Sequence, residues 1–162
     1  MNYQKLGEPA ENGRNRLVVF TLDEQRYALH LLAVERVACV VEIAPLPKAP
    51  EIVVGVIDLQ GRIVPVVNIR KRFRLPDREM DLSNQLIIAN TSRRTIAFVV
   101  DSVTDVAERA EREVITAEKI LPGLEYLEGV IKLDDGIVFI HDLDRFFSLE
   151  EEKQLNDATD RL

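Results

Sequence analysis

Gly55-Val56-Ile57-Asp58-Leu59-Gln60-Gly61-Arg62-Ile63-Val64 and Gly129-Val130-Ile131-Lys132-Leu133-Asp134-Asp135-Gly136-Ile137-Val138 are two copies of one pattern. Gly, Val, Ile, Leu, Ile and Val coincide at a constant offset, and Phe73 then falls on Phe147. A second block repeats ahead of the first. Leu17-Val18-Val19-Phe20 matches Leu86-Ile87-Ile88-Ala89, and Val34 and Val37 match Val103 and Val106. The blocks keep their order, so the chain predicts two similar lobes, with repeat halves of about 17–73 and 85–147 inside one unit over 16–147. Two copies are too few for a solenoid, whose repeats bury a core only by stacking on several neighbours.

Each half reads as β. Leu17–Leu22 and Leu86–Ala89 are short apolar runs rich in β-branched residues, and Gln25–His30 and Thr95–Val100 put apolar side chains on alternate positions. Val53–Leu59 and Ile63–Ile69 flank Gln60-Gly61, and Val130–Leu133 and Ile137–Ile140 flank Asp134-Asp135-Gly136, so both pairs read as tight hairpins with Gly supplying the positive φ. Pro65 inside a strand pattern predicts an edge or a bulge there. Val103, Val106, Ala110 and Val114 have helical spacing, yet the repeat equates them with the extended Val37–Ile43. The repeat decides for strand. Four to five short strands per half, apolar on both faces in places, predict two small closed or nearly closed barrels, an arrangement that leaves no exposed edges. Ser148-Leu149-Glu150-Glu151 carries a capping-box pattern and predicts a helix over 148–162, and a short turn is expected after Thr116. Residues 1–15 are polar, with Gly7, Pro9 and Gly13, and read as a flexible arm.

Composition narrows the function. With 46% hydrophobic and 30% charged residues in 162, the chain is an ordinary globular protein rather than a disordered one. Lys and Arg number 21 against 28 Asp and Glu, a net charge of −7, which argues against duplex nucleic acid or an anionic membrane as partner. Cys39 stands alone, so no internal disulfide forms, as suits a reducing compartment. No apolar run reaches the roughly 18 residues of a membrane span, and the first residues lack a signal peptide's apolar stretch. A soluble, cytoplasmic protein is expected.

Catalytic signatures are missing. There is no phosphate loop, G-x-G-x-x-G, G-x-S-x-G or H-E-x-x-H. His30 alternates with Leu29 as a surface-facing strand residue, and His141-Asp142, which resembles an oriented base, lies where the repeat has a strand end. Asp101, Asp105, Glu108, Glu111 and Glu113 lack calcium-loop spacing and read as a solvated acidic face. No catalytic residue, metal site or cofactor is expected. Arg70-Lys71-Arg72-Phe73-Arg74 is the one basic run; small barrels bind single strands through such grooves, but Phe73 recurs as Phe147 and so reads as core. Single-stranded nucleic acid remains a lesser alternative, and the residues alone stop at a two-lobed β adaptor with a protein-docking surface.

Gly55 through Arg70, Gly-Val-Ile-Asp-Leu-Gln-Gly-Arg-Ile-Val-Pro-Val-Val-Asn-Ile-Arg, resembles the CheW family of chemotaxis coupling proteins, whose pattern there is G-x-x-N-L-R-G-x-I-x-P-V-x-D-L-R. The likeness runs from about Leu17 to Phe147 and includes Tyr27-Ala28-Leu29, Val34-Glu35-Arg36-Val37, Pro45-Leu46-Pro47 and Ala97 to Val103. The resemblance implies an all-β fold of two SH3-like five-stranded β-barrel subdomains with a short C-terminal helix. It implies a non-enzymatic adaptor that joins the regulatory domain of the histidine kinase CheA to the cytoplasmic tip of chemoreceptors, with no membrane insertion of its own. Carried over by position, the kinase-binding surface is Val34, Arg36, Val37, Gly55, Gln60 and Ile63. The receptor-binding surface at the lobe junction is Val34, Leu86, Ala97, Phe98 and Val106. An adaptor of another receptor–kinase pathway, such as pilus-driven motility, is the alternative within the family.

Two departures bear on partner choice. Asp58 and Gln60 stand where the family has Asn and Arg, and Arg36 where it often has Glu, with Glu35 one residue earlier. The opposite-charge contact of relatives is expected to become an Arg36–Gln60 contact. Arg62 is not expected to substitute, because one step along a strand changes the face.

Overall fold

The computed structural model describes residues 14–120 and 126–160. Eleven strands are formed: β1 (Arg14–Leu22), β2 (Gln25–His30), β3 (Val34–Cys39), β4 (Val53–Leu59), β5 (Arg62–Val67), β6 (Gln85–Asn90), β7 (Thr95–Val100), β8 (Ser102–Ala110), β9 (Ile115–Thr116), β10 (Leu127–Leu133) and β11 (Gly136–His141). Among the described residues three α-helices accompany them, α1 (Ile69–Arg72), α2 (Ala117–Ile120) and α3 (Leu149–Thr159), with three single-turn 3-10 helices between strands and before α3. Of the arm expected over 1–15, residues 14 and 15 are already strand, paired with β8, and the rest lies outside the described residues. The segment after Asp101, helical in spacing, is strand β8, as the repeat requires.

The lobes are not the repeat halves. One sheet has the order β8-β1-β2-β11-β10-β9 and the other β3-β6-β7-β5-β4. By the repeat, β1 and β2 correspond to β6 and β7, β3 to β8, and β4 and β5 to β10 and β11. The two orders are therefore the same, but each half lends its first hairpin to the other half's sheet. After β3 the chain turns back to bridge β4 at Ala44–Val56, and after β8 the two-residue β9 pairs with β10, so the end strands of each sheet are joined. Even the bulges repeat. Glu35 and Thr104 are unpaired insertions in β3 and β8, as are Val54 and Glu128 in β4 and β10.

Pairing explains the apolar residues on both faces. In the exchanged hairpins one face fills a barrel and the other fills the junction. Leu17, Val19 and Ala28 join Ile131, Val138 and Ile140 inside one barrel. Leu86, Ile88 and Ala97 join Ile57, Val64 and Val66 inside the other. Phe20, Tyr27, Ile87, Ile96 and Phe98 face the third and largest core, between the lobes. Pro65 does not mark an edge strand, since β5 lies between β7 and β4; it sits one residue before the ladder to β7 begins at Val66, where no N–H is needed on that side.

Three cations of the basic run are held by carboxylates of the chain itself. Arg70, nine-tenths buried, holds Asp23 of the β1–β2 turn and Asp101 before β8, both at 2.8 Å. Lys71 pairs with Glu51, and Arg72 grips both carboxylate oxygens of Glu151 on α3 at 2.7 and 2.8 Å. Helix α3 starts with the expected capping box, the Glu151 N–H donating to Ser148 Oγ at 3.1 Å and the Ser148 N–H to Glu151 Oε1 at 2.8 Å.

The repeated glycines before each hairpin are needed for close approach. A Cβ at Gly55 would stand 2.2 Å from the Ala44 carbonyl oxygen, and one at Gly129 would stand 2.7 Å from that of Ile115. Gly61, by contrast, serves its turn through a φ of 89° with open space around it. Urea unfolding of Gly55→Ala should therefore show a loss of roughly 3 kcal/mol or more, because backbone must move. Gly61→Ala should lose only about 1 kcal/mol, the cost of a left-handed residue. Equal losses would contradict this division of roles.

Candidate docking surface

Strand β3 and the tip of the β4–β5 hairpin meet through one ion pair. Arg62 donates to Glu35 twice, Nη1 to Oε1 at 3.2 Å and Nη2 to Oε2 at 2.5 Å. The hydrogen bond from Arg62 holds the Glu35 carboxyl below the usual range. This corrects the expectation that Arg36 would contact Gln60 and that Arg62 would face away. The physical reason is the bulge. Glu35 is the unpaired extra residue between Val34 and Arg36, so strict alternation fails there and its side chain turns toward β5. Nothing in the sequence marks that bulge, although the repeat does equate Glu35 with Thr104, its bulged counterpart.

Around this pair the predicted kinase-side residues separate into surface and support. Val37 on β3 is 39% exposed and Ile63 on β5 is 50% exposed. Arg36 is half-buried, forms no hydrogen bond to Gln60, and leaves its Nε buried without a partner. Gln60 is an exposed turn residue with φ of 54°, next to Gly61, whose N–H donates to Asp58 Oδ1 at 2.7 Å. Val34 is buried at the rim of the interlobe core, and Gly55 is buried against Ala44. Arg36, Val37, Gln60 and Ile63 thus offer surface, while Val34 and Gly55 hold the backbone that presents it.

The receptor-side residues do not converge. Leu86 and Ala97 lie inside the β3–β7 barrel and Phe98 in the interlobe core, all essentially inaccessible. The alternation that puts Ala97 and Phe98 on opposite faces also sends them into different cores. Val106, 55% exposed on β8, belongs to the other sheet. Its partner in the repeat, Val37, is also exposed, and so is Ile137, the partner of Ile63. Sequence reasoning placed Val37, Ile63 and Val106 on docking surfaces and missed Ile137, because apolar strand residues read as core by default.

A cleft of about 400 Å³ opens elsewhere, lined by Ile43, Val54, Val99 and Met80 beside Arg70. None of the kinase-side residues lines it. The Arg36 face is an open surface with scattered apolar side chains and polar neighbours, the form of a protein contact rather than of a small-molecule site.

The sequence pattern of the CheW-like domain matches residues 16–156. The chain belongs to this family. Among similar proteins, the chemotaxis protein CheW of Thermotoga maritima is 31% identical over 126 residues, covering 78% of this chain and 83% of that one. The chemotaxis protein CheW of Treponema pallidum is 23% identical over 161 residues, covering 96% and 95%. The solved structure of the scaffolding protein TtCheW from Thermoanaerobacter tengcongensis superposes with a TM-score of 0.77 at 29% identity, over 85% of this chain and 94% of that one. No helix among the described residues of this CheW-like domain is long and apolar enough to cross a membrane.

His141 is a structural plate in this domain. Its ring is 5% exposed and stacks on Phe73 with centroids 3.9 Å apart, between Tyr27 and Tyr126. Nδ1 lies 3.2 Å from the Tyr126 carbonyl, to which it donates in the neutral ring. Burial lowers its pKa to about 4. The unfolded chain binds this proton below the ordinary value near 6.5, whereas the fold refuses it until about 4. Stability should therefore be complete above pH 6.5 and fall by about 3 kcal/mol as pH drops to 4. Chemical unfolding across that range, compared with His141→Phe, checks it; the variant should lack this part of the slope.

Proposed function

We propose that this protein is a non-enzymatic, cytoplasmic adaptor of a chemotaxis pathway, coupling chemoreceptor tips to the histidine kinase CheA. The observation that carries the reading is the family match over nearly the whole chain, joined to an open apolar surface at Arg36, Val37 and Ile63. The kinase regulatory domain docks on this face, with Arg36 near its centre. Its guanidinium N–H groups suit a carboxylate of the partner, and Arg in such settings is common among interface hot spots. Glu35 and Arg62 fix β3 against the hairpin beside it. Because they neutralise each other, Arg36 is the charge left to select a partner. On the receptor side Val106 is the candidate with surface to offer.

Arg36→Asp should weaken binding of the cognate kinase regulatory domain by roughly 2 kcal/mol or more, about thirtyfold, with little change in melting temperature. Titration calorimetry beside a thermal melt decides it. Unchanged affinity in a folded variant would remove Arg36 from the contact and pass the test to Gln60 and Ile63. Purified protein should leave ATP intact. Turnover that survives stringent purification and disappears in His141→Ala would overturn the non-enzymatic reading.

A further inference from the structure

The ladders fall into two classes. Those formed within a repeat half are β1–β2 and β4–β5 in the first, and β6–β7, β10–β11 and β9–β10 in the second. Those between halves are β1–β8 and β2–β11 in one sheet, and β3–β6 and β5–β7 in the other. Neither half completes a sheet by itself. Each sheet is a hairpin of one half inserted between strands of the other, and past the core-packed Phe73 and Leu75 the covalent connection between the halves is residues 76–84.

We propose that the chain closes on a second copy of itself as well as on its own second half. In that form the first half of one molecule completes the second half of another, and reciprocally, giving a strand-exchanged dimer of two complete two-lobed units. Every inter-half ladder, the interlobe core and the grip of Arg70 on Asp101 would form between the chains with the same residues. Phe73 and Leu75 pack against the interlobe core and stay with the first half, so only the path of residues 76–84 would differ. The contacts at stake there are slight: Arg78 reaches Asp23 and Asp101 at 3.3 Å each, and Asn68 reaches Asp77 at 3.4 Å, all at the surface. Leu82 at the loop's far end is 93% exposed and anchors nothing. Exchange of identical elements through a hinge segment is a low-cost route to a dimer where the closed interface is kept whole.

Concentration during folding selects between the two forms. A short connection holds its own second half at an effective concentration on the order of millimolar, so self-closure wins in dilute solution and exchange competes only when copies are comparably crowded. Once formed, neither form converts without opening all four inter-half ladders, so the dimer should persist on dilution. It would present each docking face twice, and so bind a clustered partner with avidity.

The native Cys39 supplies the test. Its ladder partner on β6, in the other half, is Gln85. Gln85→Cys places two thiols on residues that face each other across this ladder, close enough for oxidation to join them. Isotopically light and heavy batches of this full-length variant are mixed unfolded and reduced, refolded at micromolar or millimolar concentration, oxidised and digested. Self-closure joins Cys39 to the introduced cysteine within one isotope; exchange joins them across isotopes in a protein of dimer mass. The expected result is same-isotope linkage at micromolar concentration. At millimolar concentration, mixed-isotope linkage should appear in a dimer that melts like the monomer. Same-isotope linkage at every concentration would overturn the proposal, and so would mixed linkage confined to aggregates without a native melt. Should the variant not fold, native mass spectrometry of wild-type light and heavy protein refolded together at millimolar concentration separates the same two outcomes. Mixed dimers that survive dilution support exchange, and their absence refutes it. The outcome does not depend on kinase or receptor binding.

Discussion

The interlobe core is made by the faces of the two exchanged hairpins that their own barrels cannot use. β1–β2 presents Phe20, Tyr27 and Leu29, and β6–β7 presents Ile87, Ile96 and Phe98. A strand has two faces, and in a small barrel only one points inward. Burying the other requires a second apolar layer, here supplied by the opposite lobe. The lobes therefore depend on each other twice, once through shared sheets and once through this core. Burial of Phe and Leu side chains at about 1.5–3 kcal/mol each makes the junction at least as strong as either barrel interior. Helix α3 follows from the same constraint, since Leu155 and Ala158 close the core at its rim and Glu151 and Glu152 bind Arg72 and Arg94.

Rigidity at the junction fixes the geometry of the surface. Glu35 bulges from β3 because Val34 belongs to the interlobe core on one side and Arg36 to the ladder with Ile88 on the other. The extra residue has nowhere inside to go, and its carboxylate meets Arg62. At the barrel's far rim Gly55 lets the returning chain at Ala44 close the sheet. The proposed docking face is thus carried by positions whose backbone is fixed from beneath, as a specific contact requires.

Much of this was legible in the residues, and the misses share a cause. The sequence pointed to ten of the eleven strands among the described residues, all but the two-residue β9, and included β8 against its helical spacing, since equivalence with β3 outweighed a period formed by four residues. It could not show the exchange of hairpins. Leu17–His30 and Leu86–Val100 are each a local hairpin, and a local pattern carries no record of which sheet it joins. The same gap misplaced Leu86, Ala97 and Phe98, because a strand apolar on both faces reads as one buried face and one available face until the second layer is known. Bulges were invisible for a related reason. Glu35 and Thr104 share no chemistry; only the pairing register shows that both are insertions.

Duplication also explains why charge, rather than shape, must distinguish the two lobes. Val37 and Ile63 stand exposed on one barrel, and their counterparts Val106 and Ile137 stand exposed on the other. The strands beneath them have the same order and the same bulges, so the two faces begin with similar contours. One difference of charge lies beside the first valine of each pair. Arg36 brings a half-buried guanidinium to one face, whereas the matching residue on the other is Asp105, whose carboxylate accepts the Val106 N–H at 2.8 Å. An apolar contact of equal size on either face would not discriminate. A partner carboxylate would be attracted to the first and repelled by the second, and such juxtapositions differ by several kcal/mol when desolvated. A repeated scaffold acquires two distinct surfaces in this way without altering the cores, by changing side chains outside them.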